Sequence, residues 1–197
     1  MAHIYVLTAP AHRWSHWGDY GDILVHGMTN HLPRQAGELQ LERVAPYIPP
    51  ISFPGVSDVV LTDTTKTKLA ALLPELTFKP VRKTRIVRLY WTEWDATAND
   101  PSVYPESGEP EDYILAQPHD EVLARELGLL WELTAEIDPE IQAPGGLLNV
   151  ARHRGQHLVR ANASGGYNFV SAELRTALME LVPSEITTRH AKKRIDA

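Results

Sequence analysis

One pattern occurs twice in this chain and limits what the chain can fold into. "SDVVLTDTTKTKLAALLP" runs from Ser57 to Pro74, and "GYNFVSAELRTALMELVP" runs from Gly166 to Pro183. In each, a short apolar run ends on a hydroxyl residue, a stretch with helical spacing follows, and a proline stops it. Thr62 and Ser171 suit the N-cap position, where a side-chain oxygen accepts from a free amide of the first helical turn. Leu69, Leu72 and Leu73 share one helical face in the first copy, as do Leu174, Leu178, Leu181 and Val182 in the second. Placed 109 positions apart, Thr62 overlies Ser171, Lys66 overlies Arg175, Leu69 overlies Leu178 and Pro74 overlies Pro183. "ELTFKPV" and "SEITTRH" then follow as strand-like segments. The unit is therefore strand, capped helix, strand, produced by duplication or by two uses of a common supersecondary motif. Its first role in either case is scaffold.

The segments around the two copies complete the fold class. "HIYVLT" alternates as a first strand, "GDILVHGM" reads as a strand or a buried turn, and "GELQLERV" and "RIVRLYW" read as further strands. "PYIPPISFPG" carries too many prolines for a helix or a central strand. Leu123, Leu127, Leu130, Trp131 and Thr134 share a helical face, which predicts the longest helix over Pro118–Ile137. "LLNVARHRGQHLVRAN" predicts a hairpin from Leu147 to Ala161, turning at Arg154-Gly155. Strands and helices do not alternate strictly. The expectation is a single α+β domain over residues 1–197 with a mixed or antiparallel sheet. Its halves, about 1–92 and 113–197, are joined by an acidic, proline-rich loop at 93–112.

Composition excludes several function classes. There are no cysteines, so thiolate metal sites and disulfides are ruled out. The start of the chain lacks the apolar core of a secretory signal, and no apolar run approaches a membrane span. These features predict a cytoplasmic protein without a membrane partner. A net charge of -6 opposes binding to a phosphate backbone, so no nucleic-acid partner is expected. The charge is unevenly placed. Nine acids and no lysine or arginine lie between Arg88 and Arg125, whereas Arg189, Lys192, Lys193 and Arg194 crowd the far end.

Residues able to do chemistry are sparse. His12 and His16 are four apart, as are His153 and His157, a spacing that suits zinc on a helix. Gly155 breaks the second pair and no carboxylate motif accompanies the first, so no metal and no cofactor is expected. Ser171 stands between a strand and a helix but lacks the glycines of a nucleophile elbow, and a cap explains it. Glu93 and Asp95 in "YWTEWD" point the same way on a strand. With a histidine such as His16 or His26 they would form an acid–base site of a small-molecule enzyme, the alternative reading. "SHWGDYGD" mixes Trp17, Asp19, Tyr20 and Asp22 with glycines, a composition that suits a binding loop as well as a packed turn.

The C-terminal run "HLVRANASGGYNFVSAELRTALMEL" resembles the closing segment of bacterial immunity proteins that neutralise polymorphic or contact-delivered toxins. In that group a "dlFr"-like strand precedes an "iFVSerlk.aL"-like strand and helix. Here His157, Leu158, Val159 and Arg160 stand in the first element. Phe169, Val170, Ser171, Leu174, Arg175 and Leu178 stand in the second. The segment after the last helix, "SEITTRHAKK", lacks the ending typical of the group. The resemblance brings no catalytic residue. It implies a non-catalytic protein that presents an acidic, aromatic-containing surface to the basic cleft of a cognate toxin domain. The contact residues expected are Glu93, Asp95, Glu106, Glu109, Glu111, Asp112 and Tyr113, together with Trp17, Asp19, Tyr20 and Asp22.

Overall fold

The computed structural model describes residues 3–32, 37–55, 57–162 and 166–193. Arg194 of the basic end and the Ser164-Gly165 turn lie outside them. The chain is α+β. β1 (Ile4–Thr8) is followed by a short 3-10 turn at Ser15–Trp17, α1 (Asp19–His26) and β2 (Met28–Thr29). β3 (Leu39–Ala45), β4 (Ile51–Ser52) and β5 (Val60–Thr62) lead to α2 (Asp63–Leu72) and the long β6 (Phe78–Arg88). The acidic segment ends in α3 (Pro110–Leu115), and α4 (Glu121–Glu126) precedes β7 (Leu130–Leu133). Then come β8 (Glu136–Ile137), β9 (Gln142–Ala143), β10 (Leu147–Leu148), β11 (Leu158–Arg160) and β12 (Asn168–Ser171). α5 (Ala172–Leu181) and β13 (Thr187–His190) complete the described elements.

Among the described residues three sheets form, two large ones in the orders β13-β1-β12-β11-β8 and β2-β3-β6-β7-β5-β4 and a two-stranded pair of β10 and β9. Each copy of the repeated unit flanks a strand from the opposite half of the chain. β12 and β13 embrace β1, while β5 and β6 embrace β7, all four pairings being antiparallel. The register repeats as well, because cap residue Thr62 faces Leu130 and cap residue Ser171 faces Ile4. One residue further along, Trp131 and Tyr5 receive the matching cations. Lys66 lies 4.7 Å from the Trp131 ring and Arg175 lies 4.7 Å from the Tyr5 ring. The two units are thus equivalent in pairing, in capping and in a cation–π contact.

The helices of the two units pack on each other. Leu69 of α2 and Leu174 and Leu178 of α5 are fully buried in one cluster with Leu7 of β1 and Leu133 of β7. A second cluster joins α1 and α3 to β3 and β6 through Trp14, Trp17, Leu24, Val87, Trp94 and Ile114. A third, around Ile4, Val6 and Phe169, lies under β9 and β10.

Three expectations are corrected. "GDILVHGM" is α1 followed by β2, because Gly21 lets the helix lie against Trp14, whose carbonyl oxygen would be 2.0 Å from an added Cβ. The long helix over Pro118–Ile137 is instead the two-turn α4 and the strand β7. Asp120 caps α4, Gly128 reverses the chain at a φ of +69°, and the slot between β5 and β6 takes Leu130–Leu133 as a strand. The Leu147–Ala161 hairpin does not form. β10 pairs with β9, β11 pairs with β12 and β8, and Arg152 folds back to bind Asp138 through two hydrogen bonds of 3.0 and 3.2 Å.

The caps allow a direct comparison of the two units. Thr62 Oγ1 accepts from the Thr65 amide at 3.4 Å, and Ser171 Oγ accepts from the Leu174 amide at 3.2 Å while also meeting His157 Nδ1 at 2.8 Å. Thr62→Ala is expected to cost about 1 kcal/mol in denaturant unfolding. Ser171→Ala is expected to cost about 2 kcal/mol, because it strands the imidazole as well as the helix amide. Equal losses would show that the His157 contact adds nothing.

Candidate functional site

A cleft of about 810 Å³ opens where the two sheets meet. One wall is the face of α1 that carries Asp19, Asp22, Ile23 and His26, spaced to fall together on a helix. It continues through β2 into Asn30 and His31. The opposite wall is the end of β1, at Leu7, Thr8 and Ala9, with Tyr167 and Asn168 at the start of β12. Phe53, Gly55 and Asp58 from the connection between β4 and β5 close one end, and Glu111 of α3 stands at the other elements' margin. Four carboxylates line this cleft and, among the described residues, no lysine or arginine does.

One of the four carboxylates is already neutralised. Asp58 accepts from Arg160 NH1 at 3.0 Å and from Thr29 Oγ1 at 2.9 Å, and Arg160 also donates to the Ser57 carbonyl at 2.7 Å. Both charged side chains are almost wholly buried, at 6% and 8% exposure, so the pair is stable only because each finds these partners. Gly55 makes the arrangement possible. A Cβ there would sit 2.3 Å from Thr29 Oγ1 on a backbone with φ of +63°. Of the other three carboxylates, Asp19 and Asp22 are exposed and Glu111 is half-buried, 3.8 Å from His31 Nε2. Asp22 lies 2.9 Å from His12 Nε2, and this hydrogen bond holds it below the usual carboxylate range.

Two buried polar side chains in the cleft lack partners. Neither ring nitrogen of His26 makes a hydrogen bond, nor does Oδ1 of Asn168, although the residues are only 6% and 3% exposed. His26 lies between the His12 ring at 5.6 Å and the Phe53 ring at 5.9 Å. Burial, reinforced by the neighbouring His12, pushes its pKa down to about 4, so the imidazole is neutral at physiological pH. Behind it, Glu42 of β3 is fully buried and its carboxyl is pushed up to about 7 by desolvation. The amides of His31 and Leu32, then Arg85, offset part of that rise.

The residues singled out in the sequence divide into supports and exposed groups. The 17–22 and 93–113 segments do come together. Tyr20 donates to the Gly108 carbonyl at 2.7 Å and packs edge-on to Tyr104 at 5.1 Å, while His16 and Trp17 both reach the Ala98 carbonyl. Trp17 and Tyr113 pack against Trp94 at 5.8 and 4.9 Å, so their rings serve the core more than a surface. Glu93, Asp95, Glu106 and Glu109 are exposed, Glu111 and Asp112 half-buried. Asp95 is engaged with the amide and hydroxyl of Thr97. Burial first, and then the negative charges of Glu109, Glu111 and Asp112, raise the Tyr20 pKa.

Glu93 and Asp95 do not lie on a strand as the sequence suggested, because β6 ends at Arg88 and Trp91–Glu93 is a 3-10 turn. His26 lines the cleft, these two acids do not, and His16 is occupied at the Ala98 carbonyl 2.9 Å away. Among the described residues no three ligating side chains gather as a metal site would require. Ser171 has an unexpected setting. Its hydroxyl meets His157 Nδ1 at 2.8 Å, and His157 Nε2 donates to Glu75 at 2.6 Å. This serine–histidine–glutamate chain has the connectivity of a hydrolase relay, yet Ser171 is 6% exposed, caps α5 and lines neither this cleft nor the groove between α2 and α5. It ties the loop after α2 to the second unit. Sequence reasoning missed Asp58, Asn168 and the burial of His26. Arg160 was named in the strand that precedes the second copy, but its partner Asp58 was not.

No protein-family model matches this chain, and no curated protein is detectably similar to it in sequence. Among the described residues no helix is long and apolar enough to cross a membrane.

The two buried ionisable groups have opposite linkage to folding. His26 titrates at 6.5 in the unfolded chain and about 4 when folded, so acidification between these values favours unfolding. Glu42 titrates at 4.5 unfolded and about 7 folded, so acidification over its window favours folding. Between pH 5 and 6 the two largely cancel. His26→Phe is expected to make unfolding free energy fall with rising pH, and Glu42→Gln to make it rise, each changing the slope by about 1 kcal/mol per pH unit. Urea unfolding at half-unit pH steps measures both; slopes unchanged from wild type would show that neither group is shifted.

Proposed function

We propose that this protein is a non-catalytic immunity protein that occupies a cognate toxin domain in the cytoplasm. Its binding face is the acidic wall built from the 17–22 and 93–113 segments. The observation that carries this reading is the packing of those two distant segments into one unit, fastened by Tyr20 to Gly108 and by Trp17, Trp94 and Tyr113. Aromatic side chains fix the wall from behind while Glu93, Glu106 and Glu109 face solvent. A preorganised acidic face steers a basic partner and needs little ordering when it binds. The negative charge of the chain disfavours a nucleic-acid partner. The similarity of residues 157–181 to the closing segment of immunity proteins supports the same conclusion, and the separation of Glu93 and Asp95 from His26 weighs against the enzyme alternative.

The test is affinity capture from source-cell lysate with wild-type protein and with a Glu93→Lys, Glu106→Lys, Glu109→Lys variant. All three positions are exposed, so the variant is expected to fold normally. Wild type should retain one stoichiometric basic protein that elutes as salt is raised. That protein should be toxic when expressed without its partner, and the variant should bind it at least about tenfold more slowly at low salt. Capture unaffected by the reversal would remove the acidic wall from the mechanism, and a captured protein that is harmless when expressed alone would remove the immunity role.

A further inference from the structure

We propose that the cleft between the sheets is a binding site for a guanidinium or ammonium group carried on an aliphatic stem. This goes beyond the neutralising role, because the cleft residues concerned are distinct from the outward-facing Glu93, Glu106 and Glu109. Three observations select that chemistry. The opening is lined by Asp19, Asp22 and Glu111, while the described lining includes no lysine or arginine. Arg160, the buried cation nearest the end wall, is committed to Asp58 and Ser57. An anionic ligand would therefore meet three carboxylates, two of which face histidines, Asp22 at 2.9 Å from His12 and Glu111 at 3.8 Å from His31, with no lysine or arginine in the described lining.

The second observation lies deeper. Asn168 Oδ1 and both nitrogens of His26 are without hydrogen-bond partners inside the protein, and both residues are more than nine-tenths buried. Leaving such groups unpaired costs free energy that a ligand with several N–H donors would recover. Asn168 Oδ1 can only accept, and a neutral imidazole offers one accepting nitrogen. A wholly apolar ligand would leave both unsatisfied. The third observation concerns the stem. Leu7, Ile23 and Met28 add apolar wall to the same cleft, against which an alkyl stem can pack while N–H donors along the ligand reach the polar groups. The cleft volume of about 810 Å³ is ample for a ligand of arginine size.

The cation can come from a free amine metabolite or from the side chain of a polypeptide. Two probes separate these sources: agmatine, and N-acetylarginine amide, with N-acetylcitrulline amide as the uncharged control. Each is titrated into the purified full chain while the Asn168 side-chain amide and the His26 ring are followed by NMR. Saturable shifts at both residues with either cation are expected, with no response to the citrulline control. Tighter binding of agmatine would assign the site to a free metabolite, and tighter binding of the capped arginine to a presented side chain. Asp22→Asn, a change at an exposed position, should weaken binding at least about tenfold. The Glu93, Glu106, Glu109 reversal should retain saturable probe binding, so the cleft and the acidic wall succeed or fail separately. The proposal is overturned if neither cation gives a saturable shift up to about 10 mM. It is equally overturned if citrulline binds as well as arginine, or if Asp22→Asn binds unchanged.

Discussion

The buried pair of Arg160 and Asp58 holds together parts of the chain that share no other covalent or sequence proximity. Arg160 belongs to β11 in one sheet, Asp58 to the approach to β5 in the other, and Thr29 of β2 completes the set. Removing either charge would leave the other stranded in the interior, a far larger penalty than the pair itself contributes to stability. The interaction is better understood as fixing position. It sets where the two sheets meet, and the cleft is the space left on one side of that junction.

Around this junction the fold is two nearly equivalent units, each wrapped about a strand from the other half of the chain. The exchange of β1 and β7 means that neither unit has its full sheet without the other. Matching register, matching caps and the matched Lys66–Trp131 and Arg175–Tyr5 contacts make duplication the simpler origin. The copies differ where chemistry is available. In the first, the approach to the capped helix holds Asp58; in the second, the corresponding approach holds Tyr167 and Asn168. Both contribute to the same cleft. Sites at a junction of this kind draw polar groups from segments whose backbone is not committed to regular structure.

The acidic segment shows how far residue type alone can lead. Its charge and aromatic content suggested an interaction surface, and the 17–22 loop was named beside it, but nothing in the sequence showed that the two segments pack together. Which rings would support and which would be available was not legible. Trp17 and Tyr113 look like contact residues in a sequence, and in the structure both pack against Trp94, Trp17 buried and Tyr113 half-buried. His26 was singled out only as a possible partner of Glu93 or Asp95, whereas its enclosure by His12 and Phe53 leaves its ring nitrogens unpaired and its burial depresses its pKa.

Local rules determined the caps at Thr62 and Ser171, the helices they start, the prolines that stop them, and the strands of "HIYVLT" and "GELQLERV". Each depends on contacts within a few residues, where hydrogen-bond chemistry and side-chain periodicity act directly. The apolar spacing from Leu123 to Trp131 misled because a helix and a strand can bury the same leucines. A positive-φ glycine and a vacant slot between β5 and β6 decided for the strand. The cleft belongs wholly to this second category. Asp58, Arg160, His26 and Asn168 are brought together by sheet order and strand exchange, which are long-range consequences of burial that no short window of sequence encodes.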